Sequence, residues 1–181
     1  MNYATIKKND IANGTGVRVS LFVSGCRHRC KGCFNRDAWS FSYGSLFTDE
    51  VAGEVLDAAD HSYIEGLSLL GGEPFEPENQ EPLADLVGQF KQRFPQKSVW
   101  CYSGFTFEEI VEGKAGDPAV AMKLLRQIDV LVDGKFEEEL KDLSLIFRGS
   151  SNQRIIDVKA SLDAGEVCLL EGNWRRTYTI D

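Results

Sequence analysis

The sequence predicts an α/β fold with a mostly parallel sheet. Short apolar runs alternate with amphipathic stretches, the glycine-rich and charged words fall directly after the apolar runs, and no internal repeat or low-complexity tract interrupts the alternation. At 181 residues the chain fits one domain, 1–181, able to bury roughly 70% of the surface that its unfolded form exposes. Residues 160–181 form a C-terminal tail that shows no decisive period and is left unassigned.

The elements follow in order. Val17 to Val23 is the first strand, and the turn-forming Asn13-Gly14-Thr15-Gly16 keeps it from starting much earlier. Thr48 to Asp60 reads as a helix: Val51, Val55 and Ala59 recur four residues apart, with Asp49 and Glu50 at the positive end of the dipole. Leu67 to Leu70 is a short buried strand that ends at Gly71-Gly72-Glu73-Pro74. The clearest helix follows, with Leu83, Leu86, Val87, Phe90 and Phe94 at offsets of 3, 4, 7 and 11 before Pro95. Ser98 to Tyr102 is the third strand. Thr106-Phe107-Glu108-Glu109 has the form of a capping box, and Asp117-Pro118 starts a further helix with a cap and a first-position proline. Ile128 to Val132 is the fourth strand and Leu145 to Phe147 a candidate fifth. The words after these strands, residues 26–33, 71–73, 103–104 and 133–135, then share one rim, and ligands of parallel α/β sheets bind at that carboxyl rim.

Composition narrows the function. With 20 Lys and Arg against 28 Asp and Glu the net charge is -8, which argues against a sequence-independent grip on nucleic acid or anionic membrane. No apolar run approaches the roughly 18 residues of a membrane span, and Met1 to Lys8 lacks the apolar core of a signal peptide, so a cytoplasmic protein is expected. Five cysteines, an odd number, read there as ligands plus spares rather than as a disulfide framework.

Three of those cysteines, Cys26, Cys30 and Cys33, lie within eight residues directly after the first strand. Soft thiolates so close in sequence select an iron-sulfur cluster, zinc or copper(I), and three of them leave one coordination position open for chemistry. Cys101, Cys168, His28 or His61 could still close the site, and a zinc site completed by His28 or His61 is the plain alternative.

Cys26-x3-Cys30-x2-Cys33 resembles the cluster motif of the radical S-adenosylmethionine superfamily. The words around it, residues 10–14, 21–26, 70–74, 129–136 and 148–154, are similar to those of its glycyl-radical activating enzymes, and among these to the family that activates anaerobic ribonucleoside-triphosphate reductase. Most of the superfamily places an aromatic residue just before the last cysteine; here that position is Gly32 and Phe34 follows, which narrows the subfamily. The resemblance implies a partial, open (β/α) barrel and an oxidoreductase carrying a 4Fe-4S cluster on Cys26, Cys30 and Cys33. It implies S-adenosyl-L-methionine held near Gly32, Cys33, Phe34, Gly71, Gly72 and Glu73 and cleaved reductively to a 5′-deoxyadenosyl radical. The implied partners are the large catalytic subunit of the reductase, which receives the glycyl radical, and an electron donor such as flavodoxin; no nucleic acid and no membrane are involved. The rivals are an activase of another glycyl-radical enzyme such as pyruvate formate-lyase, a small radical enzyme acting on a metabolite, and a non-catalytic metal or electron-transfer module.

Each feature has a plainer reading. Gly71-Gly72-Glu73-Pro74 is also an ordinary strand-to-helix turn; its functional reading is that missing side chains let a ligand lie against the backbone while Glu73 accepts a charged hydrogen bond. Cys101 and Cys168 read as small buried hydrophobes, His61 as a surface residue, and His28, between Arg27 and Arg29, as part of a solvated loop. Arg27, Arg29 and Lys31 could favour an electron-rich cluster or an acidic reductant. Arg148 to Gln153 suits a solvated turn or a contact with ribose, carboxylate or partner, and Glu137-Glu138-Glu139 a solvated helical face.

Overall fold

The computed structural model describes residues 1–176. One open sheet of seven strands, in the order β3-β1-β2-β4-β5-β6-β7, carries the helices. Its strands are β1 (Asn2–Asp10), β2 (Val17–Val23), β3 (Ser45–Leu46), β4 (Ile64–Gly71), β5 (Ser98–Tyr102), β6 (Val130–Asp133) and β7 (Arg154–Asp157). The helices are α1 (Asp49–Ala59), α2 (Pro77–Arg93), α3 (Phe107–Val111), α4 (Pro118–Leu125) and α5 (Val158–Ala164). β2, β4, β5 and β6 run parallel, and antiparallel strands flank them on both sides. The expected α/β class and mostly parallel, unclosed sheet are therefore present. His61, at the end opposite the cysteine loop, is exposed and stacks on Tyr63 as a surface residue.

The alternation of side chains along the strands sorts the sheet into two faces. Val19, Leu21 and Val23 of β2 meet Leu67 and Leu69 of β4, Val99 and Cys101 of β5 and Leu131 of β6. Against them lie Val55 of α1, Leu83, Leu86 and Phe90 of α2 and Leu124 of α4. Cys101 is wholly buried in this layer, as a small hydrophobe should be, and burial pushes its thiol well above the ordinary range. The opposite, concave face carries Arg18, Ser20, Ser68, Trp100 and Tyr102. A second apolar cluster, Trp100, Val130, Val132 and Ile155, lies there under Phe147, Leu170 and Trp174.

Local signals held where chemistry is local. Thr48 accepts from the Val51 amide, Thr106 and Glu109 form the reciprocal capping box, and Asp117 caps α4 ahead of Pro118. Three expectations changed. β1 was not foreseen, because Asn2 to Asp10 is polar and only Tyr3 and Ile6 pack on the core; it is held by antiparallel pairing to β2. Leu145 to Phe147 is a loop packed by Phe147 against Trp100, and the last strand is the four-residue β7, antiparallel to β6. β7 runs directly into α5, capped by Asp157, so residues 160–164 of the tail are helical. Cys168 follows at the far end of the sheet, its amide donating to the Ser161 hydroxyl oxygen and its carbonyl accepting from the Asp157 amide. The remainder of the tail, 177–181, lies outside the described residues.

Candidate functional site

The cysteine loop leaves β2 at Val23 and folds over the carboxyl ends of the parallel strands. Its start is pinned by backbone: the Gly25 amide donates to Ala38 at 2.8 Å and the Cys26 amide to Trp39 at 3.2 Å. Its middle turns through Arg29 in a left-handed conformation (φ 50°), and its end closes with the Cys33 amide on the Cys30 carbonyl at 3.1 Å. The first turn of α2 reaches back to hold it. Glu76, only 3% exposed, accepts the Arg27 amide at 2.6 Å and the Arg27 guanidinium, which also meets Glu78. Asn79, fully buried, donates to the carbonyls of Ser24 and Glu73. This polar start of α2, well before Leu83, escapes a search for apolar periodicity.

Cys26, Cys30 and Cys33 line one cavity of about 740 Å³ at this rim. Gly32, Phe34, Gly71, Gly72 and Glu73 lie in the same wall, so every residue expected to hold metal or cofactor borders it. Gly72 has a further duty. A Cβ there would lie 2.5 Å from the Gly25 carbonyl oxygen, and the Gly72 amide donates to Val23, so what its missing side chain admits is the cysteine loop itself.

The three thiols are free and half-buried. Burial, with the nearby Glu73 carboxylate, pushes Cys26 up to about 11, and burial raises Cys30 as well. Without metal the Cys26 and Cys30 sulfurs hold their protons; a bound cation supplies the charge that removes them. The Asn35 amide points at the Cys33 sulfur at 3.4 Å, a donor suited to thiolate. Among the described residues no three His, Cys, Asp or Glu side chains converge closely enough to hold a single ion. Three soft thiols on one wall are the donor set of an iron-sulfur cluster, in which each thiolate takes its own iron. Of the other candidate ligands, Cys101 lies in the helix-side core and Cys168 and His61 at the opposite end of the sheet, while His28 borders the cavity itself.

Several wall residues were missed from sequence. His28 is not a solvated loop residue: its side chain is 7% exposed, its Nε2 lies 3.0 Å from Glu73 and its ring meets Phe105. Tyr102, Phe136, Lys141, Leu143 and Arg148 also border the cavity, and the Arg148 Nε is buried with no acceptor among the described residues. Lys135, Lys141 and Arg148 lack a carboxylate within ion-pair distance among the described residues, whereas Arg27 and Lys31 are occupied by Glu76, Glu78, Glu138 and Glu139. The sequence words 129–136 and 148–154 marked this region without assigning a contact.

Comparison with known proteins adds two findings. A family model described as a 4Fe-4S single cluster domain matches residues 12–156. Proteins named anaerobic ribonucleoside-triphosphate reductase-activating protein are similar over most of the chain. The one from Enterobacteria phage T4 is 43% identical over 155 residues, 86% of this chain and 93% of its own. That from Haemophilus influenzae is 41% identical, covering 86% and 97%, and that from Escherichia coli K12 is 40% identical, covering 84% and 96%.

Proposed function

The chain belongs to the family of anaerobic ribonucleoside-triphosphate reductase-activating proteins with a 4Fe-4S single cluster domain, and from that premise we propose that it installs a glycyl radical on the large subunit of that reductase. Cys26, Cys30 and Cys33 would hold the cluster, and Gly32, Phe34, Gly71, Gly72 and Glu73 would border S-adenosylmethionine. Bound there, the two cofactors supply one-electron cleavage of a carbon-sulfur bond and a carbon radical able to take the α-hydrogen of a glycine.

The chain's own residues do the positioning. The backbone ties of Gly25 and Cys26, and the Arg27–Glu76 clamp, hold the thiols against the strand ends. Trp100, Phe147 and Trp174 close the concave face beside the cavity, which limits water where a radical must be protected. Phe34 stands fully exposed and Leu143 is 76% exposed at the mouth, apolar surface that a partner's glycine loop would cover. The observation that carries this reading is the convergence of all three motif cysteines with Gly71-Gly72-Glu73 on one cavity at the carboxyl rim.

Anaerobic reconstitution tests it. The expected result is about four irons and four sulfides per chain, an electron paramagnetic spectrum that changes on adding S-adenosylmethionine, and a carbon-centred doublet once the large reductase subunit is present. Stoichiometric zinc in place of iron, or activation of a pyruvate formate-lyase partner alone, would overturn it.

A further inference from the structure

The four acceptor positions of the Glu73 carboxylate are all taken by the chain itself. One oxygen accepts the Phe75 amide at 2.9 Å and the Ser103 hydroxyl at 2.8 Å; the other accepts the Gly104 amide at 2.7 Å and His28 Nε2 at 3.0 Å. A carboxylate offers about four lone-pair sites, so this one is saturated. It is also 1% exposed, and a carboxylate so buried persists only when its oxygens are satisfied. The donors come from three places: the turn after β4, the turn after β5, and the middle of the Cys26–Cys30 loop.

We propose that His28 is a positioning residue and that the Glu73 carboxylate is the knot through which it acts, tying the cysteine loop to the ends of β4 and β5. The histidine is fitted for this. Because Glu73 accepts, Nε2 carries the proton, and the ring lies edge-on to Phe105 with centroids 4.5 Å apart. Its other flank rests on Gly104, where a Cβ would come within 2.4 Å of the ring. The imidazole is thus fixed by packing and by hydrogen bond, and with it the backbone between two cluster ligands. The proposal rests on the cluster reading above and corrects one part of the expectation for Glu73: its carboxylate has no position left to receive a cofactor's ammonium group.

Four chains test this: wild type, His28→Ala, His28→Gln and Glu73→Gln. Each is reconstituted without S-adenosylmethionine, and iron release to bathophenanthroline is followed. His28→Ala removes one charged hydrogen bond, and Glu73→Gln sets an NH2 group against two donors; both should release iron roughly tenfold faster or more. The amide of His28→Gln reaches the same carboxylate and should stay within about threefold of wild type. In the metal-free chains, hydrogen exchange at the Gly104 and Phe75 amides should quicken for His28→Ala and not for His28→Gln. Release by His28→Ala at the wild-type rate would overturn the proposal, as would failure of glutamine to rescue. So would a Glu73→Gln chain that keeps its iron while losing the spectral response to S-adenosylmethionine, since the carboxylate would then be the cofactor's ligand. A wild type that assembles no cluster would sink the function proposed above, yet the exchange of Gly104 would still judge the tie.

Discussion

The two ends of the sheet's concave face each bury a charged side chain, and they treat it differently. At the amino ends of the parallel strands Arg18 is wholly buried and its five N–H groups all find neutral acceptors. Nε donates to the Ser68 hydroxyl, and the two terminal nitrogens donate to the Thr15, Leu67 and Ser98 carbonyls and the Ser98 hydroxyl. Burial lowers its pKa to about 10, and the face of Trp100 lies 5.7 Å from the guanidinium. At the carboxyl ends Glu73 is satisfied as fully, but around it stand three free thiols, a buried Arg148 Nε without an acceptor among the described residues and an exposed Phe34. One end is a plug in which nothing asks for a partner. The other is a socket lined with thiols, a buried donor and an exposed aromatic ring that the chain itself leaves unused, and this separates a structural polar site from a functional one more reliably than residue type does.

Substitutions that split folding from function break the comparison most sharply. Alanine at Cys26, Cys30 or Cys33 should abolish the intact cluster, since a cubane needs each thiolate, while the metal-free chain melts within about 1 °C of wild type because the thiols are only half-buried. Iron analysis and calorimetry on the same samples check this. Equal iron loss from Cys101→Ala would move the ligand set and sink the contrast.

Arg18→Met should do the reverse. It takes the guanidinium donors from the buried Leu67 carbonyl and the half-buried Ser98 carbonyl, at a cost of about 1–3 kcal/mol for each group left unpaired, partly offset because a desolvated cation is also removed. A net loss of about 2–4 kcal/mol, or roughly 5–15 °C in melting temperature, is expected. The molecules that remain folded should take up iron as wild type does. A variant that melts normally yet cannot assemble a cluster would show that the plug and the socket are one site.

The same contrast explains what the sequence disclosed. The three thiols, the strand before them and the caps at Thr106 and Asp117 were legible because each rests on residues a few positions apart. The placing of 71–73, 103–104 and 133–135 on one rim followed from strand order alone. The saturation of Arg18 and Glu73 was not legible: Ser98 lies 80 residues from Arg18, and Glu73 lies 45 from His28. Whether a polar residue is a ligand or a filled structural position depends on how many of its partners the fold brings up, and spacing does not report that. β1 and β7 stayed hidden for a related reason, one being polar and the other four residues long, with antiparallel pairing to β2 and β6 supplying what their own pattern lacks.

Phe34 sharpens the comparison at the mouth of the socket. Its ring is fully exposed, so Phe34→Ala should leave melting temperature and iron content unchanged. An aromatic anchor at an interface is worth about 1–2 kcal/mol, so the large subunit's KM should rise roughly tenfold. Unchanged KM would place the docking surface elsewhere on the rim.

The smallest effect belongs to a pair just outside the cavity, where charge is exposed and pairing matters least. Glu108 accepts both terminal nitrogens of Arg154, which also holds the buried Asp133, and these hydrogen bonds lower the Glu108 pKa to about 2 from its ordinary 4.5. A carboxylate depressed in the folded state adds stability above its unfolded pKa and loses it as pH falls from 4.5 toward 2. The Glu108 side chain is half exposed, so solvent screens the pair and Glu108→Gln should lower the melting temperature at pH 7 by only about 1 °C. Carboxyl-carbon NMR on the metal-free chain reads the group directly: at pH 3.5 Glu108 should remain ionised while unpaired glutamates are mostly protonated. A midpoint near 4.5 would mean that the Arg154 fork is open in solution, leaving Arg154 to Asp133 alone.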